Sequence, residues 1–237
     1  MDRAWQRGSS QEALSGGVQG CRAAVDTGKV TMGNGSAKVT TDPAAAATSR
    51  ASRGRPSSAV VATLVVWGLG YACYRAYYAV GGEWGMIGRP ASDGQFRMVN
   101  AVGSAIVLLG AVLPVVLRGP ALRPVVPVLG WVGAVGCCMH ALVDIVLRLL
   151  SVAGVHPTQL PEEFWLSFDR KSADLQDLLF NEPWFLVEGL LWAALGIACV
   201  RASRRRGWLA SVVGACLLLT GVGILSGLGI IGSFRLG

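Results

Sequence analysis

PVVPVLGWVGAVGCCMHALVDIVLRLL, running from Pro124 to Leu150, is a mostly apolar stretch that carries His140, Asp144 and Arg148. At about 1.5 Å per residue it reaches roughly 39 Å as a helix, more than a ~30 Å hydrocarbon core. Hydrocarbon offers backbone amides no water, so a single spanning segment must close its hydrogen bonds internally, as a helix does. The three polar residues recur every four positions and therefore line one helical face, one turn apart. An ionised group at mid-bilayer costs about 2.5–3.5 kcal/mol on insertion scales, so this face must meet protein, water or the interface. Gly133, Gly136 and Cys137 extend roughly the same face inward and would let a second helix approach closely.

The rest of the chain agrees with that reading. Of 237 residues, 52% are hydrophobic and only 15% charged, the composition of a polytopic membrane protein. Arginines number 18 against 3 lysines, and with abundant Ala, Gly and Val they suggest a GC-rich bacterial source. A net charge of +7 could mean nucleic acid, but its placement between apolar segments reads as membrane topology, so no nucleic-acid partner is expected. Of six cysteines only Cys21 lies outside an apolar segment, and no CxxC pair occurs. Neither a disulfide framework nor a zinc knuckle is indicated.

Residues 1–58 are rich in Gly, Ser, Ala and Thr and should form a disordered cytoplasmic tail with no cleavable signal peptide. Met32 is a candidate alternative start. Residues 59–237 should form an all-α integral membrane bundle of five transmembrane helices, with spans at about 59–80, 98–117, 124–150, 183–200 and 208–232. Asn100 starts the second span, Pro114 is placed to kink it, and Asn181 is placed to cap the fourth. The long connection 151–182 is acidic, and Pro161-Glu162-Glu163 reads as a helix start. Short amphipathic helices in this outer loop are expected. In the first span Trp67, Tyr71, Tyr74, Arg75 and Tyr78 share a broad face. It reads first as an interfacial aromatic belt with a snorkelling arginine, and second as a cation among aromatic rings in a cavity. Gly223 and Gly227 form a GxxxG pair through which a homo-oligomer or a membrane partner could dock. Gly227 to Gly232 also matches GxGxxG, but with no preceding strand the match carries nothing.

Basic segments are the tail, Arg118–Arg123 and Arg201–Arg206, and they alternate with a nearly neutral first loop and an acidic third one. Positive charge favours the cytoplasm, so the expectation is a multi-pass plasma-membrane protein with its N-terminus inside and its C-terminus outside. Counted from those ends, Arg75, His140 and Glu188 come out at similar depth in the outer third of the bilayer, with Asp144 and Arg148 further out. The expected site is thus a polar cluster of Arg75, His140, Asp144, Arg148 and Glu188, with Arg75 pairing with Glu188 or Asp144. Its leading reading is structural or interactional; the alternative is a small transporter or ion-coupled permease. A His140/Asp144 pair suits acid–base chemistry, but no nucleophile stands with it, so an enzyme is not expected. His140 and His156 are the only histidines and lie at different depths, so no metal or haem, and no other cofactor, is indicated.

Tyr74-Arg75-Ala76-Tyr77-Tyr78-Ala79-Val80-Gly81-Gly82-Glu83-Trp84-Gly85 resembles the aromatic-rich, Gly-Gly signature that ends the first span in an uncharacterised family of small actinobacterial multi-span membrane proteins. Leu175-Gln176-Asp177-Leu178-Leu179-Phe180-Asn181-Glu182-Pro183-Trp184-Phe185 is similar to a second stretch of such proteins. The resemblance covers about 60–200 and implies a membrane location and a span number, not a reaction.

Overall fold

The computed structural model describes residues 57–158 and 164–231. The expected tail disorder falls outside these residues except at its last two, and the helix start at Pro161-Glu162-Glu163 lies wholly outside them. Among the described residues five helices are long and apolar enough to cross a membrane. They are α1 (Ser58–Ala79), α2 (Asp93–Val116), α3 (Val126–Val152), α4 (Arg170–Ala198) and α5 (Arg205–Gly227). The chain is therefore an all-α, multi-pass membrane protein.

Two starts differ from expectation. Helix α2 begins at Asp93, where Ser92 caps it by accepting a hydrogen bond from the Gln95 amide. Asn100 is not a start; it sits two turns in, buried, and its Nδ2 donates to the Phe96 carbonyl. Helix α4 begins at Arg170, well before Pro183. Asp169 caps it, accepting from the Ser172 amide and hydroxyl, and these bonds hold the Asp169 carboxyl below its ordinary pKa. Asn181 is no cap; it lies in a π-helical turn, Asp177–Asn181, and donates to Asp177 at 2.7 Å. The expected loop helix is thus the continuation of the fourth span away from the arginine turns.

In lateral order the helices pack α2, α1, α4, α3, α5. The α3/α4 seam is set by glycines. Gly130 lies against Gly196, Gly133 against the Trp192 indole, and Gly189 against Cys138. Helix α5 lies parallel to α3, with Gly223 under Val143 and Gly227 under Leu147. The GxxxG face is therefore occupied within the chain, which corrects the expectation that it serves a second copy. Its small residues do what was expected of them, close approach, but toward α3.

A two-stranded antiparallel ribbon, which nothing in the sequence pattern announced, closes the end opposite the arginine turns. Strand β1 (Gly88–Pro90) pairs with β2 (Trp165–Phe168), with Gly88 opposite Phe168 and Arg89 opposite Ser167. It ties the α1–α2 connection to the segment before α4. Gly81, at φ +96°, makes the turn out of α1 that starts this path.

Candidate functional site

The α3/α4 seam determines which polar groups meet. Its three rungs run antiparallel: as α3 advances from Gly130 to Cys138, α4 recedes from Gly196 to Gly189. Continued outward by the same step, Asp144 falls level with Glu182, and Glu188 falls level with Cys138. Glu188 therefore lies about 3 Å inward of His140 along the seam and about 15 Å from Ala198, at about 1.5 Å per residue. Because α4 starts at Arg170, Glu188 is not near that helix's end. Glu182, which the sequence placed in the loop, takes its position in the cluster.

The π turn contributes to this arrangement. It accommodates one extra residue, so Glu182 turns toward the face already carrying Asp174 and Asp177. Opposite stands Arg148, whose Nη1 lies 3.3 Å from Asp174 and whose Nη2 lies 2.9 Å from Asp177. Asp174 is 1% exposed and also accepts from the Ser151 and Thr158 hydroxyls. This is a buried ion pair, with Arg148 Nε left unpartnered, that clamps together the ends of α3 and α4 away from the arginine turns. One turn inward, His140 Nδ1 is 3.5 Å from Asp144 Oδ2. Donor atoms of His140, Asp144 and Glu182 all lie within 4.8 Å of one another. His140 also meets the Phe185 ring edge-on.

Arg75 does not join this group. Among the described residues it makes no ion pair, which corrects the expected pairing with Glu188 or Asp144. Its guanidinium lies against Gly103 of α2, whereas the Glu188 carboxylate reaches toward Gly110. Those glycines are two turns apart on one helix, roughly 10 Å. Arg75 instead lines a cavity of about 210 Å³ beneath the ribbon, with Asn100, Arg148 and Asp177 on its polar side. Tyr74, Tyr78, Phe96, Trp165 and Phe168 supply its aromatic walls. The aromatic face of α1 is thus interior, not a lipid belt. Trp67 stacks on Trp184 at 4.1 Å, Tyr71 meets Phe185, and Tyr74 meets Phe180. Most of their polar atoms are partnered: Trp67 donates to the Trp184 carbonyl, Tyr71 to Asn181, and Gln176 to Tyr74, while Trp184 Nε1 finds no partner.

Of the five expected residues, the structure brings His140, Asp144 and Arg148 onto the α4 seam and leaves Arg75 and Glu188 apart from them. Glu182, Asp174 and Asp177 were missed as site residues because they read as loop acids. The signal that could have found them was the Asp-x-x-Ser cap at Asp169 and Ser172, which lengthens α4 by more than three turns. Compared with family models, curated proteins and solved structures, the chain matches none.

Proposed function

We propose that this membrane protein sits in the plasma membrane, arginine turns inward, and acts by interaction, binding a small anion from outside. The observation that carries the reading is the cavity beneath the ribbon. It presents Arg75, a cation with no carboxylate at ion-pair distance among the described residues, within aromatic walls. A guanidinium in such surroundings recognises a carboxylate and stacks on a ring. The volume, about 210 Å³, is somewhat above the roughly 150 Å³ that holds benzene in an apolar cavity, so the ligand is a single ring or its equivalent. Toward the arginine turns the bundle core is apolar: Val61, Leu64, Val126, Ala134 and Leu195 are at most 1% exposed. Arg123, Arg201 and Arg204 gather at that end, where positive charge favours the cytoplasm. Membership of the actinobacterial membrane family belongs to the same proposal and supplies a location, not an activity.

Benzoate is the probe. It should quench the aromatic fluorescence of the detergent-solubilised protein, and Arg75→Gln should weaken it by about 10- to 100-fold, the value of a charge-assisted hydrogen bond. In sealed vesicles it should act from the outer side only. Equal affinity in both proteins, or access from the cytoplasmic side alone, refutes the reading.

Glu188 supports a second reading, a cation-coupled permease. It is 7% exposed, makes no ion pair among the described residues, and lies within a helix long and apolar enough to span a membrane. An intramembrane acid of this kind is a transport residue by default. Proteoliposomes should then show a cation flux that Glu188→Gln abolishes; absence of flux in the unaltered protein removes the permease.

A further inference from the structure

The structure assigns a divalent transition-metal site to His140, Asp144 and Glu182, separate from the cavity beneath the ribbon and independent of what fills it.

Charge is the first argument. Four carboxylates, Asp144, Asp174, Asp177 and Glu182, lie at this end of the α3/α4 seam, and the cation in ion-pair contact is Arg148. Its two Nη groups are committed to Asp174 and Asp177. Asp144 and Glu182 therefore face each other with no cation of their own beyond what His140 can supply. Like charges this close and this buried repel unless something positive lies between them.

Hydrogen bonding is the second argument and is independent of the first. Glu182 is 3% exposed, and its Oε2 is buried with no hydrogen-bond partner. An acceptor left in that state is costly, and more so if charged, and helix α4 had every chance to turn it outward. Instead the π turn brings it toward His140 and Asp144.

Geometry is the third. His140 and Asp144 are four residues apart on α3, the spacing that sets two ligands on one helical face. Their 3.5 Å separation is too long for a good hydrogen bond. It matches the roughly 3.4 Å between two donors that each lie about 2.1 Å from one tetrahedral ion. Glu182 closes the triangle from α4, and a small rotamer change brings the widest donor spacing of 4.8 Å into range. One imidazole with two carboxylates suits Zn²⁺, Mn²⁺ or Fe²⁺; Ca²⁺ and Mg²⁺ prefer all-oxygen sites. The His140 side chain is 46% exposed, so protein does not fill the fourth position around such an ion.

The test uses the full chain, without a histidine tag, purified in detergent with chelator and then dialysed free of it. Zn²⁺ and Mn²⁺ are titrated by calorimetry, with Ca²⁺ in parallel. One equivalent of Zn²⁺ or Mn²⁺ should bind, and at a hundredfold excess over Kd should raise Tm by roughly 5–10 °C. Glu182→Gln should weaken binding at least tenfold. His140→Gln, at a half-exposed position, should do the same and covers the case in which Glu182→Gln fails to fold. Glu83→Gln, an exposed acid in the α1–α2 connection, should leave the affinity unchanged. The assignment is overturned by no Zn²⁺ or Mn²⁺ binding in the unaltered protein, by unchanged affinity in His140→Gln, or by Ca²⁺ binding more tightly than either.

Discussion

Asp174→Asn should destabilise the protein by about 3–5 kcal/mol, the range for breaking a buried ion pair from one side. The carboxylate is 1% exposed and accepts from Arg148, Ser151 and Thr158, so it is the group around which the outer ends of α3 and α4 are ordered. An amide of the same shape can accept through only one atom and cannot balance the guanidinium, which then stays buried beside Asp177 alone. At roughly 2–4 °C per kcal/mol for a chain of this size, the detergent-solubilised protein should lose at least about 6 °C in Tm. Asp177→Asn should cost less, because the Asp177 side chain is 21% exposed and water compensates in part. Arg148→Met combined with Asp174→Asn should recover part of the loss, since removing both charges leaves neither uncompensated. A Tm within about 2 °C of the unaltered protein for Asp174→Asn alone would mean that the clamp does not hold the helices.

What was legible in the sequence follows from what hydropathy can report. It reports which residues lie in hydrocarbon, so all five helices and the His140/Asp144/Arg148 face were readable. It does not report where a helix ends once it leaves the bilayer. Arg170, Lys171, Asp174 and Asp177 look like a solvated loop because they lie beyond the apolar run, yet they are helical. That displacement carried through to the site. Counted from Pro183, Glu188 seemed level with Arg75; in the structure the two lie about two turns of α2 apart, and Glu182 stands in the cluster instead. The ribbon was unreadable for another reason. Gly88-Arg89-Pro90 has no alternating pattern and two poor strand formers, and it pairs only because β2 is held nearby by the start of α4. The GxxxG signal was correct in kind and silent on partner, since small residues permit close approach by any helix.

Two glycines on one helix should respond to alanine with opposite sign. At Gly130 an added Cβ would lie 2.5 Å from the Gly196 Cα, backbone against backbone. Neither atom belongs to a flexible side chain, so α3 and α4 must separate to admit the methyl. Separation loosens contacts along the whole seam, including the Trp192 indole against Gly133 and Cys138 against Gly189. Overpacking of this kind costs about 1–3 kcal/mol and occasionally more. The upper end is expected for Gly130→Ala, because the seam also sets the register of Asp144 on Glu182. At Gly136 an added Cβ meets nothing within 4 Å. Alanine there removes backbone freedom from the unfolded chain and improves helix propensity, a gain of about 0.4–1 kcal/mol. Thermal melts of the two variants should therefore lie on either side of the unaltered protein, Gly130→Ala lower by several degrees and Gly136→Ala slightly higher. The same pair reads the site. Zn²⁺ should protect Gly136→Ala as fully as the unaltered protein, and Gly130→Ala less, because its donors on α3 and α4 no longer stand level. Equal melting temperatures for the two variants would show that the α3/α4 seam is not closely packed, and the levelling of Asp144 with Glu182 would lose its cause.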